Sequence, residues 1–110
     1  MTSDNDLNQG EKIVVRIDPD LEDLIPGFLE NRQRDITAIF DALGRNDYDS
    51  IAKAGHTMKG VGGGYGFDAI TDFGGSIEQA AKQKDPVKIK HSLNELSNYL
   101  ERIEIVFEPG

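Results

Sequence analysis

Apolar residues recur at steps of three and four along most of the chain, the period of an amphipathic helix. From Pro26 to about Leu43 they fall at Phe28, Leu29, Ile36, Ile39, Phe40 and Leu43. From Tyr48 to about Gly63 the seam is Ile51, Ala54, Met58 and Val61, and Tyr65 extends it if the helix runs that far. From Asp68 to Lys82 it is Ile70, Phe73, Ile77 and Ala80 or Ala81. A last stripe, Ile89, Leu93, Leu96, Leu100, Ile103 and Phe107, predicts a helix that runs nearly to the end of the chain. The punctuation between these segments agrees. Gly44-Arg45-Asn46-Asp47 supplies a stop and a new cap, Gly64 and Gly66 are termination points, and Asp85-Pro86 pairs an N-cap with a first-turn proline. Asp18-Pro19 carries the same signature for a short helix from Pro19 to about Leu24, after which Pro26 interrupts or restarts the chain's helical course. Four amphipathic helices joined by short turns predict an all-α fold, an antiparallel four-helix bundle.

The first residues stand outside this pattern. Residues 1–11 are polar, and Lys12-Ile13-Val14-Val15-Arg16-Ile17 is β-prone but has no convincing strand partner. It is therefore expected to lie as an extended arm against the domain. The expected organisation is an N-terminal arm over 1–17 and a helical bundle over 18–110. A chain of 110 residues suits one compact domain.

Composition narrows the chemistry. There is no cysteine, which removes disulfides, thiolate nucleophiles and cysteine-ligated metals. No apolar stretch approaches the ~20 residues needed to span a bilayer. The opening Met1-Thr2-Ser3-Asp4-Asn5-Asp6 lacks the basic and apolar regions of a secretory signal, so a cytoplasmic protein is expected. A formal net charge of −8 disfavours nucleic acid and anionic membranes as partners. The acidic residues are unevenly spread: none lies between Asp49 and Asp68, where Lys53 and Lys59 are basic. A negatively charged group is expected to visit this island.

The island holds Ala54-Gly55-His56-Thr57-Met58-Lys59-Gly60-Val61-Gly62-Gly63-Gly64-Tyr65-Gly66. Glycines at 55, 60, 62 and 63 in a helix would together cost about 3–4 kcal/mol relative to alanine. That cost suggests that the helix surface beside His56 must be bare. At about 100° per residue, the seam of this helix spans roughly 80°, and His56 lies about 170° from its middle. Gly63 points almost the same way, with Lys59 and Gly60 flanking. An imidazole in water is partly neutral near neutral pH, and a neutral ring nitrogen can attack phosphorus to form a phosphoramidate. Lys59, three residues on, can offset the added negative charge. Gly60 and Gly63, without Cβ, leave room for a partner's loops. Lys53, one turn back, is either an auxiliary cation or a solvated side chain. No intrinsic cofactor is expected. No metal-binding carboxylates adjoin His56 in the sequence, so a divalent cation, if required, must come on the partner.

His56-Thr57-Met58-Lys59-Gly60, with Gly66 ten residues after the histidine, resembles the histidine phosphotransfer family of bacterial phosphorelays. Ile77-Glu78 in the next helix looks like that family's Leu-Glu position. The resemblance covers roughly residues 19–107. It implies a four-helix bundle, a phosphorylatable His56, Lys59 as the phosphoryl-stabilising lysine, Gly60 as the access glycine, and receiver domains as partners. Gly62 to Gly64 exceed the usual pattern. The implied function is a phosphorelay intermediate that takes a phosphoryl group from a receiver's aspartyl phosphate and passes it to another receiver, without kinase activity of its own.

Other readings fit less well. Phosphate-cradling glycine loops open a helix after a strand, whereas these glycines end a helical pattern and Lys59 precedes them. The second histidine, His91, has Asn94 and Glu95 where a lysine and a glycine would be wanted, and two isolated histidines make no metal constellation. The substrate domain of a chemotaxis kinase is usually tethered to catalytic regions, so a free-standing carrier is preferred. The alternative from another class is a helical module that docks a receiver or kinase domain without being phosphorylated.

Overall fold

Local capping chemistry sets the element boundaries. The computed structural model describes residues 11–108. In order these form β1 (Ile13–Ile17), a 3₁₀ helix (Pro19–Leu24), α1 (Ile25–Gly44), α2 (Tyr48–Gly62), a 3₁₀ turn (Gly63–Tyr65), α3 (Asp68–Lys82), α4 (Pro86–Arg102) and β2 (Ile103–Phe107). Residues 1–10 of the expected arm lie outside the described residues. The Asp18 carboxylate accepts from the Asp20 backbone N–H at 2.9 Å and starts the 3₁₀ helix. Pro26 has no N–H to bond backwards, so the chain restarts, with Pro26 in the first turn of α1. Asp47 caps α2 by accepting from the Ser50 N–H, and Asp85 caps α4 by accepting from the Lys88 N–H. Gly66 closes the α2 segment at φ 89°, and a Cβ there would also strike Ile17 Cδ1 at 2.8 Å. Among the described residues no helix is long and apolar enough to cross a membrane.

The helices share one core. Ile36 and Ile39 of α1, Ile51 and Met58 of α2, Ile70 and Ile77 of α3, and Ile89, Leu93 and Leu96 of α4 are all buried in it. Two aromatic positions depart from expectation. Phe40, placed on the seam of α1 by spacing, is 41% exposed. Phe67, given no role by periodicity because it sits in a connection, is fully buried. It stacks on Phe28 at 5.1 Å, and Tyr65 stacks on the same Phe28 ring at 4.5 Å.

The main correction concerns the two ends. The stretch read as an unpaired arm is a strand, and the end of the last apolar stripe is not helical. β1 and β2 pair in parallel, with Ile13 opposite Ile103 and Ile17 opposite Phe107. Helix α4 gives way at Ile103, whose φ of −72° and ψ of 141° are extended. In Ile103-Glu104-Ile105-Val106-Phe107 three residues are β-branched and one is aromatic, a strand-favouring composition. Ile103 and Phe107 satisfy a four-residue helical step and a two-residue strand step equally, so spacing alone did not separate them. Ile13, Val15 and Ile17 pack towards the core with Ile103, Ile105 and Phe107, while Val14, Arg16 and Glu104 are exposed. Glu108 accepts from Arg16 Nε at 2.9 Å across the end of the ribbon. The described residues are thus mostly helical, with four α-helices and one small open sheet.

The tightest packing lies between α2 and α3, and it is made by glycines. A Cβ on Gly55 would fall 2.7 Å from Glu78 N and 2.8 Å from Gly74 O. One on Gly62 would fall 2.6 Å from Thr71 N, and one on Gly74 would collide with the Lys59 backbone. Gly55 and Gly62 are therefore buried contacts between helices, not clearance for a partner, which corrects half of the glycine argument. Gly60 has no atom within 4 Å of a built Cβ. The contrast gives a direct test. Gly74→Ala should lose about 1–3 kcal/mol through overpacking, whereas Gly60→Ala should gain about 0.5–1 kcal/mol from helix propensity. Urea denaturation of both variants checks the sign of each.

Candidate functional site

His56 lies on the outer side of α2, and its side chain is 70% exposed. Lys53, Lys59, Gly60 and Gly63 are exposed on the same helix or its immediate continuation. The space over Gly60 is open, and that over Gly63 is bounded only by Thr71 Oγ1 at 3.6 Å and Asp68 Oδ1 at 3.9 Å from a built Cβ. Thr71 secures this end of α2: its hydroxyl accepts from the Gly63 N–H at 2.8 Å and donates to the Lys59 carbonyl at 3.1 Å. The hydroxyl thus bridges the Lys59 carbonyl and the Gly63 N–H, an i, i+4 pair, where α2 gives way to the 3₁₀ turn.

The close α2–α3 contact brings in a residue to which spacing gave no chemical role. Glu78 of α3 stands beside His56 with its side chain only 9% exposed. Its Oε2 lies 3.2 Å from His56 Nδ1, and its Oε1 lies 3.5 Å from Lys59 Nζ. Lys82, one turn further along α3, places Nζ 3.3 Å from the same Oε2. The stem of Lys59 crosses α3 at Gly75, where a Cβ would meet Lys59 Cδ at 3.5 Å. The acid-free island is therefore acid-free along the chain but not in space. Glu78 was noted only through the Ile77-Glu78 pair. Its signal was a lone carboxylate four residues after Gly74, on the stripe that meets α2.

This arrangement orients the ring. A carboxylate only accepts hydrogen bonds, so Nδ1 must carry the proton that it donates to Glu78. The lone pair is then left on Nε2 of this exposed ring, and His56 borders an open depression of about 450 Å³ with Ala52, Lys53, Thr57, Glu78 and Lys82. Burial pushes the Glu78 carboxyl up, but the hydrogen bond from Lys82 and the charges of Lys82, of Lys59 and of the His56 ring when it is protonated outweigh it and hold the carboxyl below its ordinary value. His91 is elsewhere. It lies on α4, exposed, with Nε2 3.6 Å from Glu95 Oε1, and lines a different depression with Gln83 and Val87.

The family model for the Hpt domain matches residues 23–105, from the 3₁₀ helix into β2. No curated protein and no solved structure matches the chain.

The lowered Glu78 carboxyl fixes the sign of a pH effect. A carboxyl that is more acidic in the folded state stabilises the fold fully above its unfolded value of 4.5, and this stabilisation is lost as pH falls through the folded value. Wild type should therefore exceed Glu78→Gln in stability most at neutral pH, and the gap should close as the pH is taken below 4.5. Urea unfolding across that range measures it, and a gap that does not change with pH contradicts the ion cluster.

Proposed function

The chain belongs to the Hpt domain family, and from that membership and the geometry at His56 we propose that it is a phosphorelay intermediate. His56 takes a phosphoryl group from the aspartyl phosphate of one receiver domain and passes it to another. The observation that carries this reading is the ring itself: exposed on one side, tied through Nδ1 to a buried carboxylate on the other, with open space over Gly60.

The chemistry follows from that orientation. The Nε2 lone pair attacks phosphorus, and the P–O bond to the donor aspartate breaks with its electron pair returning to the carboxylate. The ring gains a positive charge, which the Nδ1–H shares with Glu78. Because Nδ1 keeps its proton, the ring leaves as neutral imidazole and not as an imidazolate in the outward step, when a second receiver's carboxylate attacks and the N–P pair returns to Nε2. Alignment and charge stabilisation dominate phosphoryl transfer. Lys59 supplies charge stabilisation. Gly60 and Gly63 give a docked receiver close access to phosphorus. Lys53, exposed on the rim of the depression, is an auxiliary cation in this reading, contributing charge at a distance and not a hydrogen bond to the phosphoryl group. The divalent cation that such transfer uses is supplied by the receiver. The chain acts as a carrier without ATP-dependent kinase activity, in the cytoplasm where its partners operate. The helices form an antiparallel bundle, because connections spanning only 45–47, 63–67 and 83–85 are too short to return each helix to its starting end.

The test is transfer from a panel of phosphorylated receivers. Wild type should acquire an alkali-stable, acid-labile label that maps to His56, and His56→Gln should keep its fold by circular dichroism but take none. Equal labelling of the two proteins refutes the assignment. Receiver binding without any label in wild type favours the docking-module alternative.

A further inference from the structure

Glu78 has more positive charge around it than it requires. Its buried carboxylate meets Lys59 on Oε1, and Lys82 together with the His56 Nδ1–H on Oε2. With a neutral ring, one carboxylate faces two ammonium groups, a surplus of one positive charge. The lysines are the accessible members of the cluster: their side chains are 49% and 58% exposed, against 9% for Glu78. Lys82 and His56 contact the same oxygen and line the same depression. Lys82 Nζ, 3.3 Å from the oxygen that holds Nδ1, is thus a neighbour of the ring, and rotation of its exposed side chain is the movement that would bring it to a group held on Nε2.

Loading changes the balance. The phosphoryl group brings two negative charges and leaves the ring with one positive charge. Summed with Glu78, Lys59 and Lys82, the loaded cluster is electrically neutral. With Lys59 as its only cation it would hold an uncompensated negative charge beside a buried carboxylate, and nearby like charges disfavour one another. We propose that Lys82 is a second phosphoryl cation at this site, resting on Glu78 while His56 is free and moving to the phosphoryl oxygens when His56 is loaded. Glu78 is then a positioning residue that keeps the ammonium beside the ring between transfers. Lys53 lines the depression but makes no ion pair with Glu78, and serves as the internal comparison. This inference rests on the phosphotransfer reading.

The experiment loads ¹⁵N-labelled protein at His56 with phosphoramidate, a small-molecule donor that needs no partner, and observes the lysine ammonium groups by NMR at low temperature. Through-hydrogen-bond ¹⁵N–³¹P correlations are expected at Nζ of Lys59 and Lys82, with none at Lys53. Lys82→Met should still load at His56 but lose its own correlation and hold the label for a shorter time than wild type, and a label lifetime equal to wild type contradicts the inference. A loaded His56 whose phosphorus shows no correlation with Lys82 overturns this inference and leaves the phosphotransfer reading standing. Failure of His56 to load from both phosphoramidate and a phosphorylated receiver overturns the two together.

Discussion

The backbones of α2 and α3 meet at Gly55, Gly62 and Gly74, and the site depends on that contact. Gly55 precedes His56, and the atom its missing Cβ would strike first is the backbone nitrogen of Glu78. The spacing that closes the interface therefore also sets the start of the Glu78 side chain beside the imidazole. Had either helix carried a larger residue at the crossing, the 3.2 Å contact between His56 Nδ1 and Glu78 would be lost, and the ring would be exposed without being oriented. Helix-interior glycines are unfavourable by about 1 kcal/mol each. Here that cost is offset by close packing of two backbones.

Sequence spacing reached much of this arrangement and missed a definable part. The helical periods located all four helices, and the angular argument separated His56, Lys59, Gly60 and Gly63 from the seam residues Ile51 and Met58, which are fully buried. The buried glycines were legible too, on a different reading. Ile51, Gly55, Met58 and Gly62 follow one another at steps of four, three and four, so Gly55 and Gly62 belong to the seam. Taking glycine only as clearance hid this. Glu78 could not be paired with His56 from one helix alone, because projecting α2 says nothing about which residue of α3 lies opposite. The strands were missed for another reason. β1 finds its partner across the whole chain, and that partner was absorbed into a helical stripe by two residues that fit both periods.

Electrostatics show the same dependence on three dimensions. A protein with a net charge of −8 presents around His56 a small cluster in which two ammonium groups exceed one carboxylate. Along the chain the feature reads as an absence of acids. In space it is one acid held inside a group of cations. The buried carboxylate has two effects: it orients the ring, and it holds the Lys59 and Lys82 ammonium groups beside it. Under the phosphotransfer reading, both serve a group that arrives with negative charge and must leave again.

The central claim is that Glu78 holds the proton of the neutral His56 ring on Nδ1 and leaves Nε2 bare. The ¹⁵N chemical shifts of the two ring nitrogens, measured in unphosphorylated protein at a pH where the ring is neutral, test it most directly. The account predicts a protonated, pyrrole-like Nδ1 and an unprotonated, pyridine-like Nε2. A ring found mainly as the Nε2–H form would contradict it.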